Sequence, residues 1–136
     1  MKLYTKIRYY LSLFIILLFC LSTLYAKDYQ RQIIIHNDIK RNFLLHIPNN
    51  SNQTNARPLI IVLHGGHGTA KGMIKLTYGA FNTLADKENC IVVYPNAIKK
   101  NWNDGKQQMP KSYIAHNQNI DDVGFIATII DIMMFS

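Results

Sequence analysis

LIIVLHGGHG, residues 59–68, is the stretch on which the fold prediction depends. Its first five residues are aliphatic and uncharged, which is typical of a strand that is buried on both faces of a parallel sheet. The strand ends in a run of glycines and histidines, where the backbone can turn sharply and bring its N–H groups close to a ligand. We therefore expect a central strand over 59–63, followed by a ligand-facing loop.

The segments before this strand predict the edge of the sheet. Residues 31–36 and 41–47 are rich in Ile, Leu and Phe, and Asn37-Asp38 between them is a turn signal. We expect an antiparallel pair of strands here. The Asn-rich stretch that follows, 48–58, is predicted to be a loop.

The segments after the central strand predict a strand-helix-strand unit. Apolar residues recur at helical spacing over 71–88, with a break expected near Gly79, and residues 90–94 predict a second buried strand. Such an arrangement favours a right-handed crossover in a mixed α/β fold. Residues 97–119 form a long polar connection, and connections of this length often carry function.

A last helix is expected to begin at Asp121-Asp122. Carboxylates are favoured at a helix N-terminus, so capping explains this pair without a catalytic role. The apolar spacing predicts a buried helix face that comprises Val123, Ile126, Ile130 and Met133.

The first 26 residues have the composition of an export signal. The basic residues of this segment are Lys2, Lys6 and Arg8, and the apolar run that follows them covers residues 11–24. The run is shorter than the ~20 residues that a transmembrane helix prefers. With a small residue at Ala26, we therefore favour a cleaved signal peptide, 1–26, over a membrane anchor. The remaining domain is 27–136, and export to the periplasm or the extracellular space is expected.

The charge and the cysteine content argue against nucleic-acid binding and against an intramolecular disulfide. The formal charge of +7 falls to +4 without the three basic residues of the leader, and the rest form no stripe with aromatic residues. Nucleic-acid binding is therefore not expected. Cys90 is the single cysteine after residue 26, which predicts a buried thiol and no intramolecular disulfide.

Five blocks of sequence together resemble the secreted polyhydroxybutyrate depolymerases and feruloyl esterases. In chain order the blocks are PLIIVLHGG (58–66), LAD (84–86), VVYP (92–95), WNDG (102–105) and DDVGF (121–125). Their order and spacing match that family over about residues 43–130. The resemblance implies an α/β-hydrolase fold, here the N-terminal portion of a mostly parallel sheet with flanking helices. It also implies hydrolysis of carboxylic esters by a Ser-Asp-His triad, with no cofactor.

The chain departs from this family in what it lacks. In the family the nucleophile elbow follows the helix that corresponds to residues 121–136, and the Asp and His of the triad lie further on. No Gly-x-Ser-x-Gly elbow occurs in this sequence. Many relatives also carry a cysteine at the position of Gly66, and that bridge cannot form here. We therefore expect a fold truncated before the elbow, with the oxyanion-hole loop but without the triad.

The resemblance places candidate site residues in the glycine loop. The backbone N–H groups of Gly66 and His67 are the candidate oxyanion donors, and His64, Gly65 and Gly68 are expected to shape the loop. His64 and His67 have a spacing that metal ligands also use, but no convincing third ligand is near in sequence, and no metal is expected.

Other residues leave alternatives open. Trp102 either stacks on the acyl or aromatic part of a substrate or plugs the sheet. His36, His46 or His116 would act as a base only with a Ser or Cys within hydrogen-bond reach, and the sequence cannot show one.

Three functions remain in competition. The first is the N-terminal part of a secreted carboxylic ester hydrolase whose partner is a polyester or an aryl or acyl ester. The second is a non-catalytic remnant or small exported protein that binds a ligand or partner through the glycine loop. The third is a small protein tethered to the membrane by residues 9–25. We favour the first as lineage and the second as the state of this polypeptide, with no stable membrane insertion after cleavage.

Overall fold

The protein is a mixed α/β fold built on a four-stranded sheet. The computed structural model describes residues 6–8, 10–12, 29–48, 56–106 and 110–135. The strands, in the spatial order β1-β2-β4-β3, are β1 (Gln30–His36), β2 (Ile39–His46), β4 (Ile91–Pro95) and β3 (Leu59–Ile61). β2 is antiparallel to both of its neighbours, and only β3 and β4 are parallel. The described sheet is therefore mostly antiparallel, and the expectation of a mostly parallel sheet is wrong for this portion.

The predicted antiparallel pair at the sheet edge is confirmed. β1 pairs with β2 over its whole length, from Gln30 opposite Leu45, and the pair closes at His36 opposite Ile39. The two residues between them, Asn37 and Asp38, both have positive φ, 48° and 60°. Positive φ at both central positions is the conformation that matches the twist of a two-residue hairpin, and Asn and Asp tolerate it better than most residues.

The predicted central strand is shorter than expected and lies at an edge of the described sheet. β3 has three residues, all of them half-buried, and its pairing with β4 extends by the hydrogen bond from the Val62 N–H to the Val93 carbonyl, 2.9 Å. Leu63 is 49% exposed. Since β4 stands between β3 and β2, β3 has a neighbour on one side only within the described residues, and full burial on both faces is not reached.

Helices cover both faces of the sheet. On one face lie α1 (Ala70–Leu76) and α2 (Ala80–Glu88), separated at the predicted break, where Gly79 has a φ of 70°. The core residues of this face include Leu44, Val62, Ala85, Val92 and Tyr94. The predicted single stripe is only partly buried: Met73 and Phe81 pack on this core, but Leu76 is 71% exposed. Tyr78 and Gly79 both have positive φ and interrupt the helix, so the predicted stripe does not run along one continuous helix.

The other face of the sheet carries the last helix. After a 3₁₀ turn (Ile98–Lys100) and a short α3 (Ile114–Asn117), α4 (Asp122–Met134) packs against the second core cluster. The fully buried members of that cluster include Phe43, Val93, Phe125 and Ile129.

The buried face of α4 differs from the predicted one. Ile126 and Met133 are half-buried as expected, but Val123 and Ile130 are exposed, and Asp122 is buried. The Asp122 carboxylate is buried with the guanidinium of Arg41, and the next residue, Val123, faces outward.

The predicted signal peptide, 1–26, lies outside the described residues except for 6–8 and 10–12, which are helical and exposed. Across the described ranges, no helix combines the length and the apolar character needed to cross a bilayer. The division into a leader and a domain at residue 27 stays a prediction.

Candidate functional site: the glycine loop and the connection that holds it

The glycine loop forms a tight turn directly after β3. The N–H of Gly68 donates to the carbonyl of Gly65, 3.0 Å, and His67 between them has a φ of 60°. A methyl group on Gly68 would lie 2.9 Å from the Gly65 oxygen and 3.1 Å from the His64 Cβ. Gly68 is thus required by close approach, whereas a methyl group on Gly65 would meet open space.

His64 is part of the support of this loop. Its side chain is buried, Nε2 accepts a hydrogen bond from the Ala97 N–H, 3.1 Å, and Nδ1 lies 2.8 Å from the Gly65 carbonyl. Because Nε2 is an acceptor, the proton belongs on Nδ1, which donates to Gly65, and the imidazole is neutral. Both ring nitrogens are therefore used within the protein, which leaves neither for a metal ion or for proton transfer.

The backbone N–H groups of the two candidate oxyanion donors, His67 and Gly66, differ in their hydrogen bonding. The His67 N–H donates to the Lys100 carbonyl, 2.9 Å. The Gly66 N–H has no acceptor within the described part of the chain, and Gly66 is exposed. In this structure Gly66 therefore presents the free backbone donor, and His67 anchors the turn that carries it.

The anchor depends on a strained backbone segment. Lys99 and Lys100 both have positive φ, 49° and 66°, a region that residues with long side chains rarely adopt. This conformation belongs to the 3₁₀ turn after β4 and directs the Lys100 carbonyl at the His67 N–H. Strain of this kind persists only where surrounding contacts hold it, and it occurs often at ligand sites.

Two side chains from the long connection face Gly66. A methyl group on Gly66 would lie 3.7 Å from both the Asn101 Oδ1 and the Tyr113 hydroxyl oxygen. Asn101 is 2% exposed, its Nδ2 donates to the Lys99 carbonyl at 3.1 Å, and its Oδ1 is buried without a partner among the described residues. The ring of His67 meets that of Tyr113 edge-on at 5.6 Å. Sequence reasoning missed Asn101 and Tyr113 because both lie outside the WNDG block (102–105), in positions of the connection that belong to no motif and no periodic pattern.

Trp102 is also tied to the loop. Its Nε1–H donates to the His64 carbonyl at 2.8 Å, its ring lies 5.0 Å from the imidazole, and it packs against the core beneath α4. Of the two roles that the sequence left open, these contacts fit a residue that packs over the sheet and covers its core. Substrate stacking by Trp102 stays a prediction.

A buried ion pair holds the connection in place. Arg41 on β2 and Asp122 on α4 are 1% and 5% exposed, and their side chains meet at 2.6 Å. The guanidinium also lies 3.8 Å over the ring of Phe125, and the second Asp122 oxygen accepts the N–H of Asn103, 2.7 Å. The prediction of a shared capping role is therefore half right: Asp121 caps the helix by accepting the Gly124 N–H at 2.8 Å, whereas Asp122 is the buried partner of Arg41.

The candidate base histidine His36 lies on the hairpin strand β1 and contacts α4. His36 on the outer strand β1 lies 3.1 Å from the Asp121 carboxylate and 3.1 Å from the Thr128 hydroxyl. That hydroxyl is within 2.9 Å of the Gly124 carbonyl of its own helix, which accepts its proton. The pKa of Asp121 is lowered, first by the Gly124 N–H and then by His36.

The other two candidate base histidines are His46 and His116. His46 lies 2.9 Å from the Asp86 carboxylate, and the Nδ1 of His116 is buried without a partner among the described residues. Over the described ranges, no cluster of three or more His, Cys, Asp or Glu side chains could hold a metal ion.

The chain is similar to solved structures, among them an esterase. Neither the family models nor the curated proteins gave a match. The solved structures gave nine matching chains. One of them is a thermostable esterase, with 17% sequence identity, a TM-score of 0.47 and an alignment over 71% of this chain and 30% of the esterase chain. This chain thus spans about a third of the length of that esterase.

Proposed function

We propose that this chain is the N-terminal part of an exported carboxylic ester hydrolase of the polyhydroxybutyrate depolymerase or feruloyl esterase type. In this proposal it supplies the oxyanion-hole loop, while the Ser-Asp-His triad is not among its residues. The observation that carries the proposal is the free N–H of Gly66 at the carboxyl end of β3, in a turn fixed by the bond from His67 to Lys100.

The chemistry of ester hydrolysis explains why a fixed donor matters. Negative charge develops on the carbonyl oxygen in the transition state, and a donor that is already oriented stabilises that charge without reorganisation. Three contacts hold the turn before any substrate arrives: the Gly68–Gly65 bond, the His67–Lys100 bond and the buried His64 side chain. Such preorganisation is what an oxyanion donor needs, and it is more than an ordinary surface turn requires.

Two further observations support the proposal. The five family-like blocks fall on the elements that build this region: β3 and its loop, α2, β4, the connection through Trp102 and the start of α4. The leader composition supports export. The substrate in this proposal is a polyester or an aryl or acyl ester, and neither a nucleic acid nor a stable membrane insertion is part of it.

A second candidate function is binding without catalysis. It is favoured by the polar surroundings of Gly66, where Asn101 and Tyr113 offer hydrogen-bonding atoms but no nucleophile. In this reading the polypeptide is a remnant or a small exported protein that uses the same loop to hold a ligand or partner.

The genomic sequence downstream of codon 136, read in all three frames, tests the first proposal. We expect a Gly-x-Ser-x-Gly elbow there, followed by an Asp and a His. In the protein joined through that elbow, Gly66→Pro removes the donor and should lower kcat by about 10²–10³-fold, the usual effect of losing one oxyanion donor. Gly66→Ala keeps the N–H and is the matched control. The absence of an elbow in every frame, or a Gly66→Pro variant with unchanged kcat, would favour the binding function.

A further inference from the structure

A groove of about 540 Å³ lies beside the start of α1, on the face of the sheet that carries α1 and α2. One wall comes from the hairpin and includes Arg31 and Leu44, and the other comes from the helix start and includes Thr69 and Lys71. The volume falls within the roughly 300–1,000 Å³ that small-molecule sites usually have.

Some polar groups of the groove are already occupied within the protein. Asn96 accepts the Ala70 N–H on Oδ1 at 2.8 Å and donates from Nδ2 to the Asn42 Oδ1 at 2.8 Å. The Thr69 hydroxyl oxygen accepts the Gly72 N–H at 3.0 Å. These bonds tie the helix start to β2 and β4, so they give the groove fixed walls rather than free donors.

The charged groups of the groove are free and of one sign. Arg31 and Lys71 are exposed, and neither has an ion-pair partner in the ranges that the structure describes. No Asp or Glu is among the residues that line the groove. Arg31 lies directly across from Leu44 in the β1–β2 register, which places its cation beside an apolar wall.

The apolar wall belongs to the protein core. Leu44 is 6% exposed, and Tyr29, which also lines the groove, packs against the same core cluster. A ligand would therefore meet the half-buried ring of Tyr29, the small exposed part of Leu44 and two cations without an ion-pair partner among the described residues.

We propose that this groove binds a small organic anion, a carboxylate with a short hydrocarbon body. The carboxylate lies between the cations of Arg31 and Lys71, and the hydrocarbon body lies against Tyr29 and Leu44. The site is separate from the oxyanion loop and does not require ester hydrolysis. It is close to that loop, because three residues span at most about 11 Å and Thr69 is three residues after Gly66.

Equilibrium dialysis of the full 136-residue chain against radiolabelled hexanoate tests the proposal. The uncharged hexan-1-ol and the cationic hexylammonium are the matched probes with the same hydrocarbon body. We expect saturable binding of hexanoate and weaker or no binding of the other two. Equal binding of hexanoate and hexan-1-ol, or no saturable binding of hexanoate, would overturn the proposal.

Charge variants assign the binding to the groove. The double variant Arg31→Gln/Lys71→Gln should weaken hexanoate binding roughly three- to thirtyfold, the range expected when two exposed charge contacts are lost. Lys75→Gln, an exposed lysine of the same helix outside the groove, should leave binding unchanged. Arg31→Glu/Lys71→Glu should reverse the preference from hexanoate to hexylammonium. Equal weakening by Lys75→Gln, or no reversal in the Glu variant, would show that the groove is not the site.

Discussion

The glycine loop and the exposed apolar surface of the molecule differ in how completely their contacts are satisfied within the described residues. In the glycine loop, His64 and His67 are joined to the connection after β4, which includes Trp102, by hydrogen bonds of 2.8–3.1 Å. By contrast, large apolar side chains are exposed on several elements of the molecule, among them Leu63, Leu76, Tyr78, Val123 and Phe135. The polar loop is therefore preorganised by this part of the chain alone, whereas the apolar surface around it lacks cover within the described residues. The following experiments test this contrast between a glycine loop that is fixed by hydrogen bonds and an apolar surface that is incompletely covered.

The largest expected effect is self-association through the uncovered surface. Tyr78 is 96% exposed and Val123 79% exposed, and β3 has a free edge in the described sheet, which is available for pairing with another chain. We expect that residues 27–136 do not form a stable monomer in sedimentation velocity and that they bind a hydrophobic dye. A variant with Leu76→Lys, Tyr78→Lys and Val123→Lys should shift the distribution towards the monomer. A monomeric wild-type domain with a sharp thermal transition would contradict the comparison.

The next largest effect concerns the buried ion pair that holds the loop side. Asp122→Ala leaves the Arg41 guanidinium buried without its carboxylate, which should cost about 3–5 kcal/mol of unfolding free energy. The double variant Arg41→Met/Asp122→Leu replaces both charges by apolar groups and should recover most of that loss. Urea denaturation at constant protein concentration, in the Leu76→Lys/Tyr78→Lys/Val123→Lys background that favours the monomer, measures both values and is used for the variants below as well. A loss below about 1 kcal/mol for Asp122→Ala would mean that the pair does not hold α4 to β2.

A smaller effect separates two glycines of the same turn. A methyl group on Gly68 would lie 2.9 Å from a backbone oxygen, so Gly68→Ala should cost about 1–3 kcal/mol of unfolding free energy. At Gly66 the nearest atoms would be 3.7 Å away, so Gly66→Ala should stay within about 0.5 kcal/mol of the wild type. Urea midpoints of the two variants give the comparison. The reverse order of the two losses would show that the turn has a different conformation.

The smallest expected effect is a pH dependence at the start of α4. The Gly124 N–H, with His36 and Asn37, lowers the pKa of Asp121. A carboxyl whose pKa is lower in the folded state stabilises the fold above its unfolded pKa, and this contribution is lost as pH falls through the folded value. Asp121→Asn should therefore flatten the decline in urea midpoint below about pH 4.

Asp104 provides the control for this pH dependence. Its pKa is also lowered, first by a hydrogen bond from Lys106 two residues away, but that contact lies within one exposed loop. Asp104→Asn should leave the acid side of the stability profile unchanged. Equal flattening by both substitutions would mean that the cap on α4 has no specific role.

The features that the sequence predicted correctly depend on local signals. The turn at Asn37-Asp38 and the helix break at Gly79 both require positive φ, and the residue types that tolerate it are visible in the sequence. In the glycine loop the residue with positive φ is His67, and Gly68 is required by close approach to the backbone instead. Cys90 is buried and free, as its apolar surroundings predicted.

The features that the sequence did not predict depend on distant partners. The edge position of β3 follows from strand order, which local periodicity does not contain. Asp121 and Asp122 look alike as helix-start carboxylates, and only the contact with Arg41, 81 residues away, separates their roles. The hydrogen bond from His67 to Lys100 and the approach of Asn101 to Gly66 likewise arise from the path of the long connection.

Ester hydrolysis by the 136-residue chain itself tests the central claim most directly, namely that this chain carries an oxyanion donor without a nucleophile. With p-nitrophenyl acetate and p-nitrophenyl butyrate, the purified chain should show no turnover above that of its Gly66→Pro variant, because an oxyanion loop has no reaction to stabilise without an attacking group. Turnover that exceeds the Gly66→Pro variant and is abolished by a serine-directed inhibitor would contradict the account.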